Sequence, residues 1–224
     1  MKEIFVKFKN GFTLAEVLIT LVIIGVVAAM TIPTAINNTK DKELKSQFAK
    51  AYSTITSALY QTEMTDFFGY VGCYYLVNSA TETKVAHNNA DCGKFFGAFE
   101  KHLSLQKVCK GNALSDGCVP SYESYYSGWP GYSENSVNTV NYAYVLSNGQ
   151  ILICFDRCTY PLFLVDINGM KGPNAYGKDL FSFSINRNDS SNMYISGGMD
   201  FYPISRGGLD TNQMIKYTFA GTNK

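Results

Sequence analysis

Gly11-Phe12-Thr13-Leu14-Ala15-Glu16-Val17-Leu18-Ile19 opens the stretch that decides how this chain is built. A glycine separates a basic leader, residues 1–11 with Lys2, Lys7 and Lys9, from an apolar run over residues 12–36. Glu16 is the single charge in that run. As a helix the run extends roughly 37 Å at about 1.5 Å per residue, enough to cross a hydrocarbon core of about 30 Å. A carboxylate costs roughly 2.5–3.5 kcal/mol at mid-membrane depth and less near the interface, so something must offset it. The leader's lysines place the amino end in the cytoplasm and everything after Lys40 outside it. A secretory signal would carry an apolar core of about 7–15 residues and a small-x-small site at its far end. Here the run is longer, and an acidic residue interrupts its beginning.

The arrangement resembles the prepilin signal of type IV pilins and pseudopilins. Gly11 matches the residue before the peptidase cut in that family, and Phe12 matches the first mature residue, whose amine is methylated. Glu16 matches the family's acidic residue, and Gly25 and Pro33 fall at family positions as well. The resemblance implies that the Glu16 carboxylate pairs with the terminal amine of another subunit, neutralising two charges that lipid penalises. One helical turn separates Phe12 from Glu16, the spacing at which a carboxylate meets a cation at a helix start. Between Gly25 and Pro33 the helix is expected to loosen on assembly, because proline removes a backbone donor and clashes one turn back. The implied partners are prepilin peptidase, other pilin or pseudopilin subunits, an inner-membrane assembly platform and the lipid bilayer. The implied location is the bacterial inner or cytoplasmic membrane, crossed once with the head outside, and then a pilus or pseudopilus.

Beyond Pro33 the chain turns polar, and apolar residues then recur at Leu44, Phe48, Ala51, Tyr52, Ile55, Ala58 and Leu59. Gaps of three and four describe one helical face. No Gly or Pro interrupts 34–68, so one helix is expected from near Leu14 to about Phe67, with a membrane half over 12–36 and an amphipathic half over 37–68. An anchor followed by a separate linker helix would give the same stripe. The rest of the chain has the size and apolar content of one domain. The formal charge is +1. Loss of three lysines and one glutamate with the leader leaves −1, so no basic field offers itself to nucleic acid. The six cysteines, Cys73, Cys92, Cys109, Cys118, Cys154 and Cys158, read as disulfides in a domain outside the cytoplasm. Many pairings are possible; local spacing favours 73 with 92, 109 with 118 and 154 with 158, the last closing a very small loop.

Residues 69–140 read as an irregular, disulfide-containing connection, with a short helix expected over Cys92–Val108. Tyr122 to Tyr132 is rich in aromatics and turn formers. It suits either a contact surface or a loop packed on a sheet, and it lacks the Lys or Arg expected of single-stranded DNA stacking. Strands are expected over 141–224. Tyr142–Leu146 and Ile151–Phe155 flank Asn148-Gly149, a strong hairpin signal. Leu162–Ile167 pairs with Leu180–Ile185, and Tyr194-Ile195 and Ile215–Phe219 are later strands. Strands following a long helix, without βα alternation, predict an α+β fold in which an antiparallel sheet packs on that helix. Between the middle strands, Asp166, Asn168, Asn174 and Asp179 supply the oxygen donors a calcium ion requires, although the EF-hand pattern fails at Met170. The alternative is a turn-rich connection in which Asp and Asn bond nearby backbone. Catalytic signatures are missing from the sequence. The two histidines, His87 and His102, sit in no HExxH motif, and no nucleophile elbow or phosphate loop occurs. A filament subunit is therefore the favoured reading, and a membrane-anchored extracellular binding protein or enzyme that does not polymerise is the alternative.

Overall fold

A computed structural model describes residues 13–68, 71–122, 142–154, 156–188, 193–198 and 208–220. The chain divides into two compact units, Met1–Glu43 and Leu44–Lys224. Helix α1, Leu14–Gln61, contributes to both.

In the first unit the apolar side chains of α1 are exposed, from Leu14 at 78 % to Ile32 at 54 %. Leu14–Ile32 is long and apolar enough to cross a membrane by length and composition. Its hydroxyls are folded back onto the helix: Thr20 donates to the Val17 carbonyl and Thr31 to that of Val27, each at 2.9 Å. Such back-bonding satisfies each hydroxyl within the helix itself.

In the second unit the expected face of α1 is the face that packs. Phe48, Ala51, Ile55, Ala58 and Leu59 are buried, with Leu44 and Tyr52 packed beside them. The helix ends in a π-helical turn, Thr62–Asp66, where Thr62 Oγ1 donates to the Ala58 carbonyl at 2.7 Å. The strands are β1 Tyr74–Val77, β2 Lys84–Asn88, β3 Leu105–Lys110, β4 Tyr142–Leu146, β5 Ile151–Cys154, β6 Leu162–Asp166, β7 Leu180–Arg187 and β8 Tyr194–Gly197. Helix α2 spans Cys92–Phe99 and helix α3 Thr211–Phe219. One sheet runs in the order β2-β1-β7-β6-β5-β4-β3, with β8 also paired to β7. Its ladders are antiparallel except for β1 against β7. This is an α+β arrangement consistent with a pilin-like fold.

The β4–β5 hairpin forms as its Asn-Gly turn requires, with Gly149 at φ 87°. One sheet face packs on α1 through Phe163, Phe181 and Phe183, and α2 adds Phe95, Phe96 and Phe99 to the same core. The other face is also covered, by Ala113, Cys118, Val119 and Tyr176. Strands buried on both faces read as continuous apolar runs, which is why β5 and β6 show no alternation.

Three expectations need correction. The 69–140 connection is not irregular throughout: it supplies β1, β2 and β3. The helix expected over Cys92–Val108 forms but stops at Phe99, and Leu105–Lys110 is an edge strand whose side chains are mostly exposed. Ile215–Phe219 is helical, not extended, because Asp210 and Gln213 form a capping box that starts α3 just before it. The cysteines lie in three pairs, Cys73–Cys92, Cys109–Cys118 and Cys154–Cys158, with Cα separations of 4.7, 6.3 and 4.9 Å. All three fall in the range a disulfide spans.

Candidate assembly site

The start of α1 is built by two side chains. The Thr13 carbonyl accepts the first helical bond from Val17 N–H at 3.2 Å, which makes Thr13 the cap and Glu16 the third helical residue. Thr13 N–H and Thr13 Oγ1–H both donate to Glu16 Oε2 at 2.8 Å, and Glu16 N–H returns to Thr13 Oγ1 at 3.3 Å. This reciprocal pattern is a capping box. It meets two of the amide groups a helix start leaves without partners and places a carboxylate where the helix dipole favours negative charge. From Leu14 to Ile32 Glu16 is the single charged side chain. Further along, a Cβ added at Gly25 would meet nothing within 4 Å, so packing within this chain does not require glycine there. Position 33 lies inside α1, where proline leaves one carbonyl of the preceding turn without its amide. Gly11 and Phe12 lie outside the described residues, as does the Tyr-rich stretch beyond Tyr122.

The β6–β7 loop brings the four oxygen-bearing candidates into one turn system. Asp166 and Asp179 are fully buried. Asp166 Oδ1 accepts from Asn168 N–H at 3.2 Å and Gly169 N–H at 2.8 Å, and its Oδ2 accepts the Tyr122 hydroxyl at 3.0 Å. Asp179 accepts from Asn174 N–H at 2.8 Å and Ala175 N–H at 2.7 Å. Burial, and then the charge of Asp179, push the Asp166 carboxyl up to about 7. Burial and the two carboxylates hold the Tyr122 hydroxyl well above its usual range, so it stays a donor. Asn168 Oδ1 and Asn174 Oδ1 are buried without a hydrogen-bond partner. Carboxylate and amide oxygens are the donor types a hard cation takes, while the backbone amides that Asp166 and Asp179 already bind are those of a turn-rich connection. Among the described residues no three His, Cys, Asp or Glu side chains gather as a metal cluster.

Gln150 ties this loop to α1. Its buried amide donates to the Gln47 carbonyl at 2.9 Å and to the Ile167 carbonyl at 3.3 Å. The histidines are separated. His102 Nε2 lies 2.7 Å from Asp66 Oδ2, fastening the π-helical turn to the segment after α2, while His87 faces Tyr75 and Tyr160 on the surface. Sequence reasoning passed over Thr13 and Gln150, and met Tyr122 only as the first residue of the aromatic stretch. Only Thr13 left a signal, a Thr-x-x-Glu box at the start of the apolar run.

Residues 7–32 match the prokaryotic N-terminal methylation motif, the signature of type IV pilins and pseudopilins. That match supports a pilin- or pseudopilin-type precursor, with a structural rather than enzymatic character. No curated protein and no solved structure matches the chain.

Proposed function

We propose that the chain is a structural subunit of a type IV pilus-like or type II secretion pseudopilus filament. In this reading prepilin peptidase cuts after Gly11, Phe12 is methylated, and the inner membrane holds α1 with the head outside the cytoplasm. An assembly platform then adds the subunit to a filament through Glu16, with Gly25 and Pro33 giving the helix its freedom to adapt. The observation that carries the reading is the capped Glu16 carboxylate, a lone charge at the head of an exposed apolar helix inside the methylation motif. For such a charge, pairing with an amine removes a cost that lipid would otherwise impose.

The test is Glu16→Ala in cells that assemble the wild-type chain. Cleavage and membrane insertion should persist, read by the mass of the new amino terminus and by fractionation, while filament yield collapses. Wild-type filament yield from Glu16→Ala would contradict the pairing and favour an anchored protein that does not polymerise. The loop at Asp166, Asn168, Asn174 and Asp179 is proposed to hold calcium, on the strength of its two unpartnered amide oxygens.

A further inference from the structure

We propose that the Cys154–Cys158 disulfide is a redox latch: of the three pairs it is the one a dithiol reductant opens first, and its opening frees the turn after β5 from α2. The bond closes a short loop that contains the 3-10 turn Asp156–Cys158. Two adjacent residues of that loop lie in the left-handed region, Arg157 at φ 54° and Cys158 at φ 64°. A Cβ is crowded there, and glycine, asparagine and aspartate are the residues that visit it routinely. The loops under the other two bonds are more relaxed. Between Cys109 and Cys118 the left-handed residues are Gly111, Asn112 and Gly117, which tolerate it, and between Cys73 and Cys92 Glu82 stands alone. Backbone strain that a cross-link holds in place is released when the link is cut, so a strained disulfide is the more easily reduced.

Cys154 ends β5 and is held in the ladder opposite Tyr142 and Phe163, so Cys158 is the half that moves. Both cysteines are buried in the core that also holds Phe95, Phe96 and Phe99 of α2, and the turn itself packs against α2 and β4. Arg157 and Thr159, on the same turn, are exposed. Reduction therefore proceeds through local opening of the turn. The first thiolate of the reductant bonds to Cys154 Sγ, the Cys154–Cys158 bond breaks, and Cys158 leaves as a thiolate. The second thiol of the reductant then attacks the mixed disulfide, frees Cys154 and leaves the reductant oxidised; two electrons and two protons pass to the two cysteines. In the closed form the Tyr144 hydroxyl lies 3.5 Å from Cys158 Sγ. A disulfide sulfur carries no hydrogen, so Tyr144 is the donor there, and the same hydroxyl receives the Cys158 sulfur when the pair closes again.

The full chain in detergent is brought to equilibrium with mixtures of reduced and oxidised dithiothreitol, free thiols are alkylated, and mass spectrometry of the digest reads each pair. Cys154–Cys158 should open at a ratio of reduced to oxidised reagent about tenfold below that of either other pair. Arg157→Gly relieves one left-handed residue, worth about five- to thirtyfold in the equilibrium, and the greater freedom of glycine in the open loop takes part of that back. Its midpoint should therefore move about fivefold toward the disulfide. Arg157→Ala removes the guanidinium and keeps the Cβ, so it should stay within about twofold of wild type. At a ratio that opens this pair alone, amide hydrogen exchange should rise across Cys92–Phe99 of α2. Three results would each overturn the proposal: another pair opening first, an Arg157→Gly midpoint no nearer the disulfide than that of Arg157→Ala, or unchanged exchange in α2 after selective reduction.

Discussion

Replacing Phe48 with alanine tests how the head is fastened to α1. Phe48 is 0 % exposed and lies on the helix face that meets the sheet. Its ring centroid is 4.9 Å from that of Phe181 at an interplanar angle of 75°, an edge-on contact, and 5.9 Å from Phe183 at 29°. Truncating a buried phenylalanine costs about 3–5 kcal/mol, because the transfer energy is lost and the cavity collapses only in part. A domain is stable by about 5–15 kcal/mol, so this single change removes a third or more of the total in most cases. At this size each kcal/mol moves the melting temperature by roughly 2–4 °C, giving an expected fall of about 6–20 °C. Near-UV circular dichroism of the detergent-solubilised chain during a thermal scan reports the aromatic packing directly. Tyr60→Ala is the control: the ring is 59 % exposed on the same helix and should change stability by no more than about 0.5 kcal/mol. A Phe48→Ala melting point within about 2 °C of wild type would refute the claim that this contact anchors the sheet.

Glu63 makes stability depend on pH. Burial pushes its carboxyl up, against the smaller opposing effects of the Met193 amide and the Arg187 charge. A raised folded-state value means that the stabilisation is full below the ordinary value near 4.5 and is lost as pH rises through the folded value. Glu63→Gln should therefore melt higher than wild type at pH 7 and lose that advantage at pH 4; an advantage that persists at pH 4 would rule the titration out. Millimolar calcium should raise the melting temperature of wild type and leave Asp179→Asn less affected, by differential scanning calorimetry after chelator treatment. Equal curves with and without calcium would remove calcium from the β6–β7 loop.

Much of this architecture could be read directly from sequence. The gaps from Leu44 to Leu59 marked the packed face of α1, and Asn148-Gly149 marked its hairpin, because both signals are local and periodic. The edge strands were not legible. β2 and β3 carry Lys84, Lys107 and Lys110 and expose most of their side chains, as protected edges do, so the period-two apolar pattern is missing. At Ile215–Phe219 apolar and aromatic residues imitate a strand, and the deciding residues, Asp210 and Gln213, lie just upstream. In the assembly segment Glu16 stood out as a misplaced charge, while its Thr13 partner looked like an ordinary hydroxyl. For the β6–β7 loop, the four candidate oxygens were readable from spacing, but Tyr122 arrives from a distant part of the chain and no local pattern announces it.

The sheet order carries a consequence for how the head comes into being. β1 and β2 lie at one margin of the sheet and β3 at the other, although only α2 and a short 3-10 turn, Glu100–His102, separate β2 from β3 in the chain. Apart from its hairpin partner β2, β1 meets the rest of the sheet at Asn186 and Arg187 of β7. The first strands of the chain must therefore wait for one made much later. Cys73 and Cys92, close in sequence, can join early and keep the waiting piece together. Pairings this distant in sequence form slowly. A chain interrupted before β7 would hold its first strands unlatched, as open templates for other chains. Closure of that margin thus requires a chain synthesised through Arg187.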